Sequence, residues 1–195
     1  MARRSLDHHQ LYENTARFHP RLPYWDNGRH SGSHPALIAR VTTASGDLVT
    51  LHRTYLTDDG DKAPVAAPRK LMAYPRARSL KGSAIRLAPV ASHLGVAEGI
   101  ETALAVQSMT GMSVWATGST SLLAAWQPPA GIEQVTVWAD RDRSGAGLAA
   151  ARRLAARLER LGLRVEVELP EGRIPARRKS LDWLDVLQAQ AELVA

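Results

Sequence analysis

The apolar positions of the chain change their rhythm near residue 93. Upstream, residues 37–42 and 48–55 are rich in strand formers, and Ala44-Ser45-Gly46-Asp47 between them is a turn signal. The pair therefore reads as a hairpin. Asp58-Asp59-Gly60-Asp61 reads as a second turn, and Pro64, Pro68 and Pro75 mark irregular chain. Residues 1–19 are polar, with one short helix expected over 6–16. Downstream of His93, short apolar runs alternate with helix-spaced segments. Strands are expected at 94–97, 113–116, 135–139 and 163–169, the last near a sheet edge. Helices are expected at 100–109, stopped by Gly111, at 119–126, capped by Ser119 or Thr120, at 145–161, and from about Leu181 onward. Strand and helix alternating four times predict an α/β fold: a mostly parallel four-stranded sheet flanked by helices, preceded by a smaller β-rich α+β subdomain. The expected divisions are 1–19, a polar segment; 20–92, a β-rich basic subdomain; and 93–195, the α/β domain.

Charge adds a second asymmetry. The 195 residues carry a formal net charge of +6, which favours a polyanionic partner. From Lys62 to Ala97 there is no acidic residue, while Lys62, Arg69, Lys70, Arg76, Arg78, Lys81 and Arg86 fall in that stretch. Tyr74, Pro75 and small residues interleave these charges. Such a run suits either a solvated loop or a track for a phosphate backbone. Without cysteine there are no disulfides and no thiolate metal sites. No apolar run approaches a membrane span, and no apolar signal core follows the first residues. The expectation is a soluble, cytoplasmic protein with no membrane partner.

Three acidic clusters carry the candidate chemistry: Glu98-Gly99-Ile100-Glu101, Asp140-Arg141-Asp142 and Asp182-Trp183-Leu184-Asp185. The first two directly follow expected strands, and strand ends are where open α/β sheets bind ligands. Carboxylates gathered there repel one another unless a cation or a shared proton compensates. A divalent ion of the Mg²⁺ class suits oxygen ligands and substrate phosphates. In an extended chain Asp142 points to the same side as Asp140, and the two make a metal clamp. Glu98 could share the ion or act as a general base on a hydroxyl. Each acid also has a plainer reading: Asp140 or Asp142 as a cap of the helix at 145, and Glu98 and Glu101 as first-turn acids favoured by the helix dipole.

Gly145-Ala146-Gly147-Leu148-Ala149-Ala150 matches the dinucleotide-binding pattern G-x-G-x-x-G/A. The strand ends too early for that turn, however, and the intervening aspartates would repel a pyrophosphate. Close helix–sheet packing accounts for the glycines better. His19, His30 and His34 read as surface residues rather than ligands. Trp115, Trp126 and Trp138 read as core.

Taken in order, Glu98-Gly99 after a strand, the Gly118-Ser119 turn, and Asp140-x-Asp142 before a glycine-containing helix start resemble the Toprim domain. That fold is shared by bacterial-type DNA primases, type IA and type II topoisomerases and some nucleases. The segment 96–104 and the upstream blocks His19-Pro20-Arg21-Leu22-Pro23-Tyr24-Trp25, Leu51-His52-Arg53-Thr54-Tyr55-Leu56 and Lys62-Ala63-Pro64 are similar to the catalytic (RNA polymerase) core of DnaG-type primases of plasmids, phages and other mobile elements. The resemblance implies synthesis of short primers on single-stranded DNA from nucleoside triphosphates. It implies that Glu98, Asp140 and Asp142 are catalytic and, with Asp182, hold Mg²⁺ or Mn²⁺. It further implies that Arg53, Lys62 and Lys81 contact template or nucleotide phosphates. Arg69, Lys70, Arg76, Arg78 and Lys179 join them as candidate contacts. A helicase or a zinc-binding module, on another chain or on a missing part of this one, is an implied partner, since the family's cysteine-based zinc module is absent here. Asp182 and Asp185 stand three apart, where the family usually has a close pair. A metal-dependent nuclease and a non-catalytic nucleic-acid-binding module remain as alternatives.

Overall fold

A computed structural model describes residues 15–194. It contains two four-stranded sheets and a small two-stranded one. The first sheet is antiparallel and runs in the order β1 (Ala16–Asp26), β2 (Arg29–Thr42), β3 (Leu48–Tyr55) and β4 (Arg69–Leu71). The hairpin joining β2 and β3 is the expected one. β1 and β4 were not anticipated. Asn27 and Gly28 connect β1 to β2 with φ of 47° and 79°. Two positive φ values in a two-residue loop match the twist of the flanking strands, which Asn-Gly adopts readily. Pro20 and Pro23 are tolerated in β1 because it is an edge strand, with register shifts beside both prolines. The helix expected over 6–16 lies outside the described residues except at its end, where Ala16 instead opens β1.

The second sheet is parallel, in the order β6-β5-β7-β9. Its strands are β5 (His93–Ala97), β6 (Val114–Ala116), β7 (Gln134–Trp138) and β9 (Arg164–Glu168). The helices between them are α1 (Ile100–Thr110), α2 (Thr120–Ala125) and α3 (Ala146–Glu159), and α4 (Trp183–Val194) follows. The alternating strand β9 lies at an edge, as its sequence predicts. Gly111 ends α1 in the left-handed conformation, and the Ser119 hydroxyl caps α2 by accepting the Leu122 N–H.

One face of this sheet packs Leu94, Val96, Val135 and Val137 against Leu123 and Trp126 around α2 and against Leu154 and Leu158 of α3. On the other face, Ala97, Val114 and Ala116 meet Ala103, Leu104 and Val106 of α1, together with Ala39, Val41, Ile85 and Leu87 from the upstream region. The two regions thus share one core. Residues 84 and 85 join them through the backbone: Thr42 donates to Ala84 at 2.8 Å, and Ile85 donates to Ala116 at 2.7 Å. Burial of this continuous apolar surface, at about 25 cal/mol per Å², holds the antiparallel sheet beside the carboxyl ends of β5 and β7.

Candidate active site

β5 and β7 pair in parallel with Ala97 opposite Trp138, so the residues that follow them emerge side by side. Glu98 leaves β5 and accepts a hydrogen bond from Thr120 Oγ1 at 2.7 Å. Asp140 leaves β7 by way of Ala139 and accepts one from Thr102 Oγ1 at 3.1 Å. A third acid arrives through non-local pairing. β8 (Arg141–Asp142) and β10 (Ser180–Leu181) are antiparallel, with Ser180 opposite Asp142 and Leu181 opposite Arg141. Continuing that register by one residue brings Asp182 to Asp140. The Trp183 indole N–H, bonded to the Ala139 carbonyl at 3.1 Å, fixes the start of α4 there.

Asp182 and Asp185 hold each other in a reciprocal box. The Asp185 N–H donates to Asp182 Oδ1 at 3.0 Å, and the Asp182 N–H to Asp185 Oδ2 at 3.1 Å. Such a box satisfies two of the orphan donors at a helix start. Arg178 is ion-paired to Asp185. Glu101, in the first turn of α1, is paired with Arg69 at 3.3 Å and Lys62 at 3.7 Å. These groups line one polar cleft of about 500 Å³: Lys62, Arg69 and Arg178 beside Glu98, Glu101, Asp140, Asp182 and Asp185.

The charges in the cleft are not balanced. Burial, then repulsion by Asp182 and Glu98, pushes the Asp140 carboxyl up to about 7, although the Thr102 hydroxyl and Arg69 oppose the shift. Burial also raises Asp182; its backbone bond from Asp185 opposes this, and the charges of Asp185 and Glu101 add to it.

Asp142 departs from expectation. It does not line the cleft. Its Oδ2 accepts the Gly147 N–H at 2.9 Å, and its Oδ1 accepts the Ala146 N–H at 3.3 Å and the Ser144 hydroxyl. Partial burial would raise this carboxyl, but the bonds from Ser144, Gly147 and Ala146 outweigh it and hold it below the usual range. The physical reason is the helix start, whose first N–H groups lack internal partners. The second glycine of the decoy motif allows the approach: a Cβ on Gly147 would lie 3.0 Å from Asp142 Oδ2 and 3.1 Å from the Asp140 carbonyl. That is close helix–strand packing, as the sequence suggests.

The expected basic contacts divide among several places. Lys62 and Arg69 reach the cleft. Arg53 donates to the Leu71 carbonyl at 2.9 Å and lies over the Tyr55 ring, and Lys70 lies over the Tyr24 ring and bonds the Trp25 carbonyl. Both are thereby tied into the first sheet. Arg78 and Lys81 line a separate groove with Asp47 and Gln127, and Arg76 is exposed nearby. Lys179 is exposed, and its carbonyl accepts the Arg143 N–H. His34, expected at the surface, instead packs edge-on against Tyr24 and Tyr55. Arg178 carries no sequence signal that marks it for the cleft, and Glu101 reads from sequence only as a first-turn acid. Glu101 lay in plain sight three residues after Glu98, but its partners Lys62 and Arg69 are distant in sequence.

A family model described as the Toprim domain matches residues 93–192, and one described as a domain of unknown function (DUF7146) matches residues 1–87. No curated protein matches the chain. Among solved structures, it is similar to a DNA primase domain from Pseudomonas aeruginosa, with a TM-score of 0.52 and 17% identity, covering 89% of this chain and 54% of that one. It is similar to the primase fragment of the bacteriophage T7 primase-helicase protein, with a TM-score of 0.52 and 17% identity, covering 82% and 61%. It is also similar to the DnaG primase catalytic domain bound to single-stranded DNA, with a TM-score of 0.55 and 12% identity, covering 87% and 53%. The chain therefore spans between half and two thirds of each of these structures, and at such identities the likeness is one of fold. The strand order, the acids at the strand ends and the family match over more than half of the residues agree: the chain belongs to the Toprim domain family.

Proposed function

We propose that the chain is the nucleotidyl-transferring core of a DNA primase, joining nucleotides on a single-stranded DNA template. The observation that carries this reading is Asp140, buried against two further acids in a cleft walled by cations. Such a cluster calls for a divalent cation, and its oxygen donors suit Mg²⁺ or Mn²⁺. Among the described residues no three acidic or histidine side chains form a ready metal cage. Mg²⁺, however, is usually held by one or two carboxylates together with substrate phosphates, so the donor set fits. Asp140 and Asp182, with Glu98 beside them, would hold the ion, which when bound supplies charge neutralisation for phosphoryl transfer. Lys62 and Arg69 would hold the triphosphate from the side of the first sheet, and Arg178 from the side of α4. Glu98 would take the proton of the attacking 3′-hydroxyl as the new phosphodiester forms and pyrophosphate leaves. Asp142 would act one step back, fixing α3 to the loop that carries Asp140. No helix among the described residues is long and apolar enough to cross a membrane.

The test incubates the protein with single-stranded DNA, four ribonucleotides and Mg²⁺ or Mn²⁺, beside Glu98→Gln and Asp140→Asn. New oligomers from the parent and none from the variants are expected. Shortened DNA without synthesis would point to a nuclease, and activity that survives both substitutions would overturn the site.

A further inference from the structure

An apolar cavity of about 160 Å³ adjoins the acidic cleft, between the first sheet and the start of α1. Leu37, Leu56, Ile100 and Leu104 wall it. Arg69, Gly99 and Glu101 line both this cavity and the cleft, so the two lie side by side. His52 also lines the cavity. It is only 6% exposed, and its Nδ1 is buried without a hydrogen-bond partner. Burial, then repulsion by Arg69, pushes this imidazole down to about 4, with Glu101 opposing. The ring is therefore neutral at physiological pH, with one nitrogen a donor and the other an acceptor. The ring nitrogen that can serve a molecule in the cavity is the other one, Nε2, since Nδ1 is enclosed by protein.

We propose that this cavity takes the heterocyclic base of a nucleoside triphosphate whose phosphates lie in the acidic cleft, with His52 hydrogen-bonding the edge of the base. The inference rests on the nucleotide-polymerising reading of the cleft. Sites for whole drug-sized ligands measure about 300–1,000 Å³. The cavity is smaller and suits a single ring system, and cavity and cleft together fall within that range. Apolar walls with one neutral donor–acceptor group match a flat ring with a polar edge. Lys62 and Arg69 stand where the phosphates of such a ligand would emerge.

Calorimetric titration in Mg²⁺ tests this, with each of the four ribonucleoside triphosphates and with inorganic triphosphate as the base-free probe. The parent should bind at least one nucleotide about tenfold more tightly than inorganic triphosphate, the scale of a buried ring and one hydrogen bond. His52→Phe keeps the bulk of the ring and should erase differences among the four bases. Leu56→Trp fills the cavity from a half-buried position and should lower nucleotide affinity to that of inorganic triphosphate, whose own binding stays unchanged. Equal binding of nucleotide and inorganic triphosphate by the parent would overturn the base cavity and leave the cleft reading standing. Unaltered base preference in both variants would also overturn it. Absence of binding by either probe would sink both readings.

Discussion

Asp140→Asn should stabilise the metal-free protein, and the gain should grow with pH. The Asp140 carboxyl has an ordinary value of 3.8 and rises to about 7 in the fold. Above pH 4 the unfolded chain ionises this group freely, while the folded chain keeps it protonated or bears the repulsion of Asp182 and Glu98. A folded value raised above the unfolded one means that the folded state binds more protons between the two, so stability falls as pH rises through that window. At 1.36 kcal/mol per unit, the full difference reaches about 4 kcal/mol at pH 8 and vanishes below pH 4. Asparagine cannot ionise and keeps an oxygen for the Thr102 hydroxyl, so it removes the penalty without opening a hole. For a chain of this length each kcal/mol moves Tm by about 2–4 °C. The measurement is thermal melting of parent and variant from pH 4 to pH 8 in EDTA, then with millimolar Mg²⁺. The curves should coincide at pH 4 and separate by about 8–16 °C at pH 8. Added Mg²⁺ should raise the parent and leave Asp140→Asn unmoved. Parallel curves at every pH would refute the argument that the fold disfavours the charged form of Asp140.

Three further outcomes follow from the same geometry. Thr102→Val removes the hydroxyl that favours the charged form of Asp140, so the carboxyl should titrate at still higher pH, followed by carbon-detected NMR of labelled aspartate. Gly147→Ala places a Cβ 3.0 Å from Asp142 Oδ2 and 3.1 Å from the Asp140 carbonyl; denaturant melts should show a loss of about 1–3 kcal/mol, with weakened Mg²⁺ binding because both acids shift. Ser119→Ala removes the cap of α2 and should cost about 1 kcal/mol, read by urea unfolding, with Mg²⁺ affinity unchanged.

What the sequence made legible depended on how local each signal was. The parallel sheet could be read because each strand and helix carries its own period, and its stops, Gly111 and the Ser119 cap, lie next to the element they end. β1 was missed for a different reason. It carries Pro20 and Pro23, which a sheet tolerates only at an edge, and its place at the edge comes from the folded pairing rather than from the Asn27-Gly28 turn signal alone. The basic tract looked continuous because sequence does not reveal where a side chain points. Folding sends Lys62 and Arg69 to the cleft, Lys70 over Tyr24, and Arg78 and Lys81 to another groove. Asp182 was the hardest to place, since its approach to Asp140 depends on two-residue strands separated by nearly forty positions.

The Asp-x-Asp pair shows how one spacing admits two placements, a paired clamp or a helix cap. Extended geometry puts both carboxylates on one side, yet the chain turns at Gly145, where φ is 69°, and α3 begins at once. The N–H groups of Ala146 and Gly147 then compete for Asp142, and several converging bonds hold a carboxylate more firmly than a solvated cleft does. Asp142 is bonded to the start of α3, and Asp140 faces the cleft. The charge balance follows from that division. Even without Asp142, the cleft is lined by Asp61, Glu98, Glu101, Asp140, Asp182 and Asp185 against Lys62, Arg69 and Arg178. Burial first, and then the repulsion of neighbouring carboxylates in a cleft where six acids face three cations, keeps a proton on Asp140 up to about pH 7. A divalent cation would relieve that repulsion and displace the proton. Metal affinity should therefore rise with pH through the neutral range, because below it the ion competes with a proton for Asp140.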